Sequence, residues 1–211
     1  MNKTIKKHME NGVIFVNPES IYVDETVIIG KDTTILQGCM IRGNTIIGKN
    51  CEIGMNSEIT DAIIGDDSTI KLSVVRNSKV GNNTNVGPYS QVRKDSVIGN
   101  NVWIGNFIEV KASTIGNNSE SLHHAYIGDA EIGERVNIGC GTVFVNFDGR
   151  NSQKTIVEDD VFIGCNVNLV APLILRKNSF IAAGSTITEN VESKSLAIAR
   201  SRQVNKVGWV K

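Results

Sequence analysis

An aliphatic residue returns at every sixth position along most of this 211-residue chain, in three long runs. The first run is Ile29, Ile35, Ile41, Ile47, Ile53, Ile59; the second is Val80, Val86, Val92, Ile98, Ile104, Val110; the third is Val157, Ile163, Leu169, Leu175, Ile181, Ile187. A period of six matches neither an amphipathic helix at 3.6 nor a simple strand at 2, so it requires a coiled, repeating backbone. Read as a triangular prism, each hexad gives one short strand and one corner, three hexads close a coil, and the sixth-position aliphatics stack into a continuous core. Tight corners call for residues that tolerate a left-handed backbone. Gly48-Lys49-Asn50, Gly81-Asn82-Asn83, Gly99-Asn100-Asn101 and Gly116-Asn117-Asn118 each follow an aliphatic at such a point. The expected fold is all-β, a parallel β-helix in one rod-like domain.

Composition removes several functional classes. Aromatic residues make up only 5% of the chain, which suits a narrow prism, and 22 Lys and Arg balance 22 Asp and Glu. No global field exists of the kind that nucleic-acid binding or a basic membrane anchor needs, so neither partner is expected. No apolar run approaches a membrane span and the segment Met1 to Lys7 is polar, so a cytoplasmic location is expected. Cys39, Cys51, Cys140 and Cys165 include no close pair and are read as small buried or half-buried residues in a reducing compartment.

Interruptions of the six-residue phase mark where function is expected, because insertions in repeat proteins collect on one face. Ile64 comes early between Ile59 and Val80, which reads as a coil irregularity. Between Ile115 and Ile127 the expected aliphatic is Ser121, in a stretch holding His123 and His124. From Val145 to Ile156 the Asp148-Gly149 turn should project from the prism. The last two interruptions are about one coil apart, so both are expected to form loops that lie close together. Arg93 and Lys111 each follow a core aliphatic and are eighteen residues apart, which stacks them on adjacent coils about 4.8 Å apart. Two such cations are either a solvated face or a phosphate clamp.

The segments Gly105-Asn106-Phe107-Ile108-Glu109-Val110-Lys111, His123 to Gly133 and Asn137-Ile138-Gly139-Cys140-Gly141 together resemble one family. This is the C-terminal acetyltransferase domain of the bacterial bifunctional N-acetylglucosamine-1-phosphate uridylyltransferase/glucosamine-1-phosphate acetyltransferase, within the hexapeptide-repeat acyltransferases. The likeness continues through Asn146-Phe147-Asp148-Gly149, Leu169-Val170-Ala171-Pro172, Ala183-Gly184-Ser185-Thr186 and Leu196 to Arg200. It implies a left-handed β-helix over residues 13–190, a short N-terminal helix or linker remnant over 1–12, and an irregular C-terminal tail over 191–211 that contributes to a CoA site. It also implies a homotrimer with active sites between subunits. The family's nucleotidyltransferase half has no counterpart in this sequence.

The resemblance carries specific expectations. Acetyl transfer from acetyl-CoA to the amine of glucosamine 1-phosphate needs a base, and His123, three residues before Tyr126, falls on the family's catalytic histidine. An isolated loop histidine would ordinarily be a solvated one; the surrounding motif sets His123 apart from His124. Glu109 matches a residue near the amino sugar, placed to orient either the substrate or the imidazole. Arg93 and Lys111 match sugar-phosphate ligands, and Tyr126 and Asn137 match further sugar contacts. Asn146, Ala183 and Arg200 match acetyl-CoA contacts, as do the positions of Cys140, Phe147 and Cys165. Lys206 would add charge beside the CoA phosphates, and Trp209 would either stack on adenine or cap the apolar end of the prism. No metal is expected for the transfer.

Four positions depart from the family. Phe147 stands where tyrosine is usual, Cys140 and Cys165 where alanine and serine are usual, and Ser152 where lysine is common, with Lys154 nearby. Two alternatives stay open, a hexapeptide acyltransferase for a different amino sugar and a structural trimer without chemistry, while a zinc hydratase of the carbonic anhydrase type is disfavoured. The hydratase requires three converging histidines, yet His123 and His124 are adjacent and His8 is remote in sequence.

Overall fold

The computed structural model describes residues 3–210; Met1, Asn2 and Lys211, at the outer edges of the expected N-terminal segment and tail, lie outside the described residues. The chain winds into a left-handed parallel β-helix of about ten coils. Most strands contain only two or three residues, one aliphatic pointing inward beside an outward neighbour. That brevity is the physical origin of the six-residue period: two strand residues and a four-residue corner repeat three times per coil.

Three stacked ladders form the core. On the first face Ile29, Ile47, Ile64, Val80, Ile98, Ile115, Ile132, Val157 and Leu175 pair in register. The second face carries Phe15, Ile35, Ile53, Ile70, Val86 and Ile104, and continues through Ser121 to Ile138, Ile163 and Ile181. The third carries Val23, Ile41, Ile59, Val75, Val92, Val110 and Ile127, then Phe144, Leu169 and Ile187. These aliphatics are buried, each contributing about 1.5–3 kcal/mol relative to exposure.

The irregularity after Ile59 has a simple cause. Ile64, Ile70, Val75 and Val80 are all buried in the ladders, so three corners there are one residue short and no loop is ejected. The interruption at Ser121 also produces no loop, contrary to expectation. Glu120–Gly128 is a continuous nine-residue strand that pairs with Trp103–Lys111 around the corner between the second and third faces. Ser121 points inward between Ile104 and Ile138, fully buried, and its Oγ has no hydrogen-bond partner. The two coils can lie this close because residue 105 is glycine: a β-carbon there would stand 2.0 Å from the Leu122 carbonyl oxygen.

The third interruption does project. Phe147 and Ser152 form an antiparallel bridge, and Asp148 Oδ1 accepts hydrogen bonds from the backbone N–H groups of Arg150 (2.8 Å) and Asn151 (2.7 Å). At the N-terminal end the helix Lys3–Glu10 lays Ile5 and His8 against the first coil, where His8 stands 6.5 Å from the Phe15 ring. Burial and the neighbouring Lys7 charge push the His8 imidazole below its usual range, partly offset by a hydrogen bond with the Val27 backbone. At the other end Leu196–Ala197 pairs with Phe180–Ile181, and residues 200–210 are exposed.

Candidate active site

The corner between the second and third faces holds the unusual chemistry. Pairs Ser121↔Ile138 and Tyr126↔Val143 flank it at the same offset of seventeen, which sets His123 beside Cys140 and His124 beside Gly141. The next pairs, Ile138↔Ile163 and Ile163↔Ile181, carry Cys140 onto Cys165 and Cys165 onto Ala183. Asn106 pairs with His123 on the other side. One column of adjacent rungs therefore reads Asn106, His123, Cys140, Cys165, Ala183. His123 Nδ1 lies 3.4 Å from Asn106 Oδ1, a long contact between neighbouring rungs.

The neighbouring column bends the chain. Leu72, Tyr89, Phe107, His124 and Asn166 all adopt positive φ there, a conformation that bulky side chains rarely accept. Tyr89 stacks on Phe107 at 5.3 Å and Phe107 on His124 at 4.9 Å. These ring contacts offset part of the backbone cost at the corner beside His123. Arg200 closes the far end, its Cδ 3.6 Å from where a β-carbon on Gly184 would stand.

The third face leads from this corner to a charged one. Arg93 and Lys111 pair in register, as their spacing predicts. Each is neutralised by a carboxylate: Arg93 Nη2 is 2.5 Å and Nε 2.7 Å from Glu109 Oε1, and Lys111 Nζ donates to Asp129 Oδ2 at 3.0 Å. Asn146 Nδ2 also donates to that Asp129 oxygen. Burial pushes the Asp129 carboxyl up, but the hydrogen bonds from Lys111 and Asn146 and the charges of Lys111 and Lys94 outweigh it and leave it below the ordinary carboxylate value. Tyr126 lies between the two corners, in register with Glu109. Its phenol crosses Gly128, where a β-carbon would stand 2.5 Å from Oη. Adjacent rungs of this face thus carry two cations, the two carboxylates that pair them, and a phenol and an amide beside them.

Within one chain the expected site residues are dispersed over the His123 column, the charged third face, the second face, the loop corner and the tail. Glu109 is drawn to Arg93, while the imidazole of His123 contacts Asn106. Asn137 lies on the second face between Glu120 and Phe162, separated by a corner from Arg93, Lys111 and Tyr126. Asn146 and Phe147 stand at the loop corner, away from Cys140, Cys165 and Ala183. Cys165 is exposed, a correction to the reading of all four cysteines as buried or half-buried: it stands outward at a corner, whereas Cys39 and Cys51 are buried. Lys154 is paired with Glu131 at 2.5 Å. Trp209 is 78% exposed and stacks with Lys206, whose Nζ is 5.6 Å from the ring centroid, so it does not cap the prism. Asn106 and Asp129 were missed by sequence reasoning, although both lie inside the motifs that carry the resemblance. The signal available for them was spacing, Asn106 seventeen residues before His123 and Asp129 eighteen after Lys111.

A family model described as the GMPPB C-terminal domain matches residues 22–115, and one for the hexapeptide repeat of succinyl-transferase matches residues 154–189. The bifunctional protein GlmU of Caldanaerobacter subterraneus subsp. tengcongensis is 56% identical over 205 residues, which is 97% of this chain and 45% of the relative. That of Thermoanaerobacter pseudethanolicus is 53% identical over 211 residues, 100% of this chain and 46% of the relative. The chain thus spans less than half the length of the curated relatives it matches. Among solved structures, the UDP-N-acetylglucosamine acyltransferase of Campylobacter jejuni superposes with a TM-score of 0.62 at 16% identity, covering 87% of this chain and 71% of that one. The corresponding Francisella novicida enzyme gives 0.59 at 19% identity, over 84% and 66%. Likeness at that level of identity speaks to the fold.

Proposed function

We infer the activity from one premise: the chain belongs to the hexapeptide-repeat family formed by the C-terminal part of the bifunctional GlmU proteins. We propose that it transfers acetyl from acetyl-CoA to the amine of glucosamine 1-phosphate, giving N-acetylglucosamine 1-phosphate for UDP-N-acetylglucosamine and cell-wall precursor synthesis. The observation that carries this reading is the single column of Asn106, His123, Cys140, Cys165 and Ala183, which sets a base directly beside a run of small side chains. A flat, narrow run of this kind suits the extended arm of CoA, and its thioester end then meets the imidazole.

The neutral amine attacks the thioester carbonyl, His123 takes the proton that the nitrogen sheds, the C–S bond breaks, and the imidazolium returns that proton to the departing CoA thiolate. A positioned base contributes about 10² to 10⁴ in rate, and holding both substrates together supplies much of the remainder. The sugar phosphate is held by Arg93 and Lys111, exchanging part of their pairing with Glu109 and Asp129 for the dianion. Tyr126 and Asn137 bind the sugar and Glu109 orients it. Asn146, Phe147, Arg200 and Lys206 complete the CoA site. No metal takes part in this chemistry.

The separation of these groups supports a homotrimer with sites between subunits. Asn137 cannot reach Arg93 and Tyr126 around a corner of its own prism, but a second copy set against the third face brings it across. The reading includes a cytoplasmic location, where acetyl-CoA is supplied; among the described residues no helix is long and apolar enough to cross a membrane.

The test is thiol release from acetyl-CoA with glucosamine 1-phosphate, glucosamine and glucosamine 6-phosphate, beside the His123→Ala variant. Release that needs the 1-phosphate and disappears in the variant is the expected result. Release with another amine would identify a different acyltransferase, and none with any amine would support a structural protein.

A further inference from the structure

Two thiols on the same column form a second chemical feature, which the acetyl-transfer steps do not use. The register continues from Ile138↔Ile163 without a break: Gly139 N–H donates to the Ile163 carbonyl at 2.8 Å and Asn166 N–H to the Cys140 carbonyl at 2.7 Å. Cys140 and Cys165 are therefore direct neighbours on consecutive rungs, although twenty-five residues and the projecting loop separate them in sequence. Adjacent parallel strands lie about 4.8 Å apart, inside the window of about 4.4–6.8 Å between α-carbons that a disulfide accepts. Both thiols are free; Cys140 is half-buried and Cys165 exposed, whereas Cys39 and Cys51 are buried in the prism.

We propose that Cys140 and Cys165 form a reversible dithiol modification site, closed to an intrachain disulfide by a peroxide, and that closure obstructs the acetyl-CoA corner. The reaction balances in two steps. The exposed Cys165 thiolate attacks one peroxide oxygen, the O–O bond breaks, and a sulfenic acid and hydroxide result. The Cys140 sulfur then attacks the Cys165 sulfur, the S–O bond breaks, and the hydroxyl leaves as water with the Cys140 proton. Each thiol loses one electron and the peroxide gains two; a reducing thiol reverses the change. The bridge draws two outward side chains together over the column that leads to His123, at positions where this family ordinarily carries alanine and serine. Its effect on acetyl-CoA rests on the acetyltransferase reading, while its formation does not.

The experiment uses the full chain, treated with hydrogen peroxide and then an alkylating agent. Non-reducing peptide mapping reads the cross-link, and steady-state kinetics on the same samples reads the KM for acetyl-CoA. The expected result is a Cys140–Cys165 linked peptide, two hydrogens lighter than its parts, on a chain of unchanged mass on a non-reducing gel. KM for acetyl-CoA rises by about tenfold, the effect of removing one good hydrogen bond to the ligand, and returns with dithiothreitol. In Cys165→Ser and in Cys140→Ala, the ratio of oxidised to reduced KM stays at one. Thiols that both remain alkylatable, separate sulfinic acids, or a bridge between chains would overturn the proposal, as would an intrachain bridge that leaves KM unchanged in an active protein. A linked peptide in a protein that is inert with acetyl-CoA even when reduced would support the dithiol site and remove the acetyltransferase reading.

Discussion

Along the corner that follows the first face, side chains of successive coils satisfy one another. Asn82 Oδ1 accepts from Asp66 N–H, Asn100 Oδ1 from Asn82 N–H and Asn117 Oδ1 from Asn100 N–H, each at 2.8 Å. Asn83, Asn101 and Asn118 form a parallel ladder through their amides at 2.8 and 3.2 Å. Along the corner between the second and third faces, the same backbone geometry carries Asn106, His123, Cys140 and Cys165 outward, joined by one long contact between Asn106 and His123. Both corners turn the chain through residues at positive φ. The first spends its polar groups on holding coils together; the second leaves its acid–base and thiol groups available. A repeat fold thus divides scaffold from chemistry by corner, since each residue's rung neighbours decide whether its polar atoms are consumed.

The contrast can be sharpened by substitution. The largest effect is expected from Gly105→Ala, which forces a β-carbon onto the Leu122 carbonyl and separates the two long strands that shape the second corner. Loss of stability by several kcal/mol, read by chemical denaturation, should accompany loss of acetyl transfer. Lys111→Met acts on the charged corner. It should raise KM for the amino sugar phosphate by about ten- to a hundredfold and cost about 1–3 kcal/mol by leaving Asp129 poorly paired. The sign of its pH dependence is fixed, because the Asp129 carboxyl titrates below its reference value of 3.8 in the folded protein. The stabilisation from that carboxylate is present above the reference value and is lost as pH falls through the lower folded value. The stability gap between wild type and Lys111→Met should therefore close on acidification, measured by denaturation from pH 7 downward. The smallest effect is expected from Ser121→Ala: removing an unpaired buried hydroxyl should leave stability unchanged or raise it by up to about 1 kcal/mol, read as a shift in Tm.

The prism was legible from one periodicity, because each ladder residue of the three runs is an aliphatic in a fixed inward position. Ser121 broke the pattern and suggested a loop, yet the backbone there is the longest strand of its coil; polarity alone does not say which way a side chain points. The Arg93–Lys111 stack was legible because no residue is inserted between those coils. The column of His123, Cys140, Cys165 and Ala183 was not, because its rungs are seventeen, twenty-five and eighteen residues apart: the loop after Asn146 destroys the constant spacing while leaving the register intact. His123, Cys140, Cys165 and Ala183 came into view one at a time through family resemblance, and their alignment appeared only with the strand pairing. Asp129 was hidden for a related reason, since its partners Lys111 and Asn146 arrive from coils on either side of it.

The division between the two corners is tested most directly by measuring kcat and Tm together for His123→Ala and Asn100→Ala. The first should lose about 10² to 10⁴ in kcat at an unchanged Tm. The second removes an amide that accepts from Asn82 N–H, and should lose about 1 kcal/mol of stability with kcat intact. If His123→Ala instead melts early with its rate preserved, or if Asn100→Ala abolishes transfer in a protein that is still folded, the assignment of chemistry to one corner and scaffold to the other is wrong.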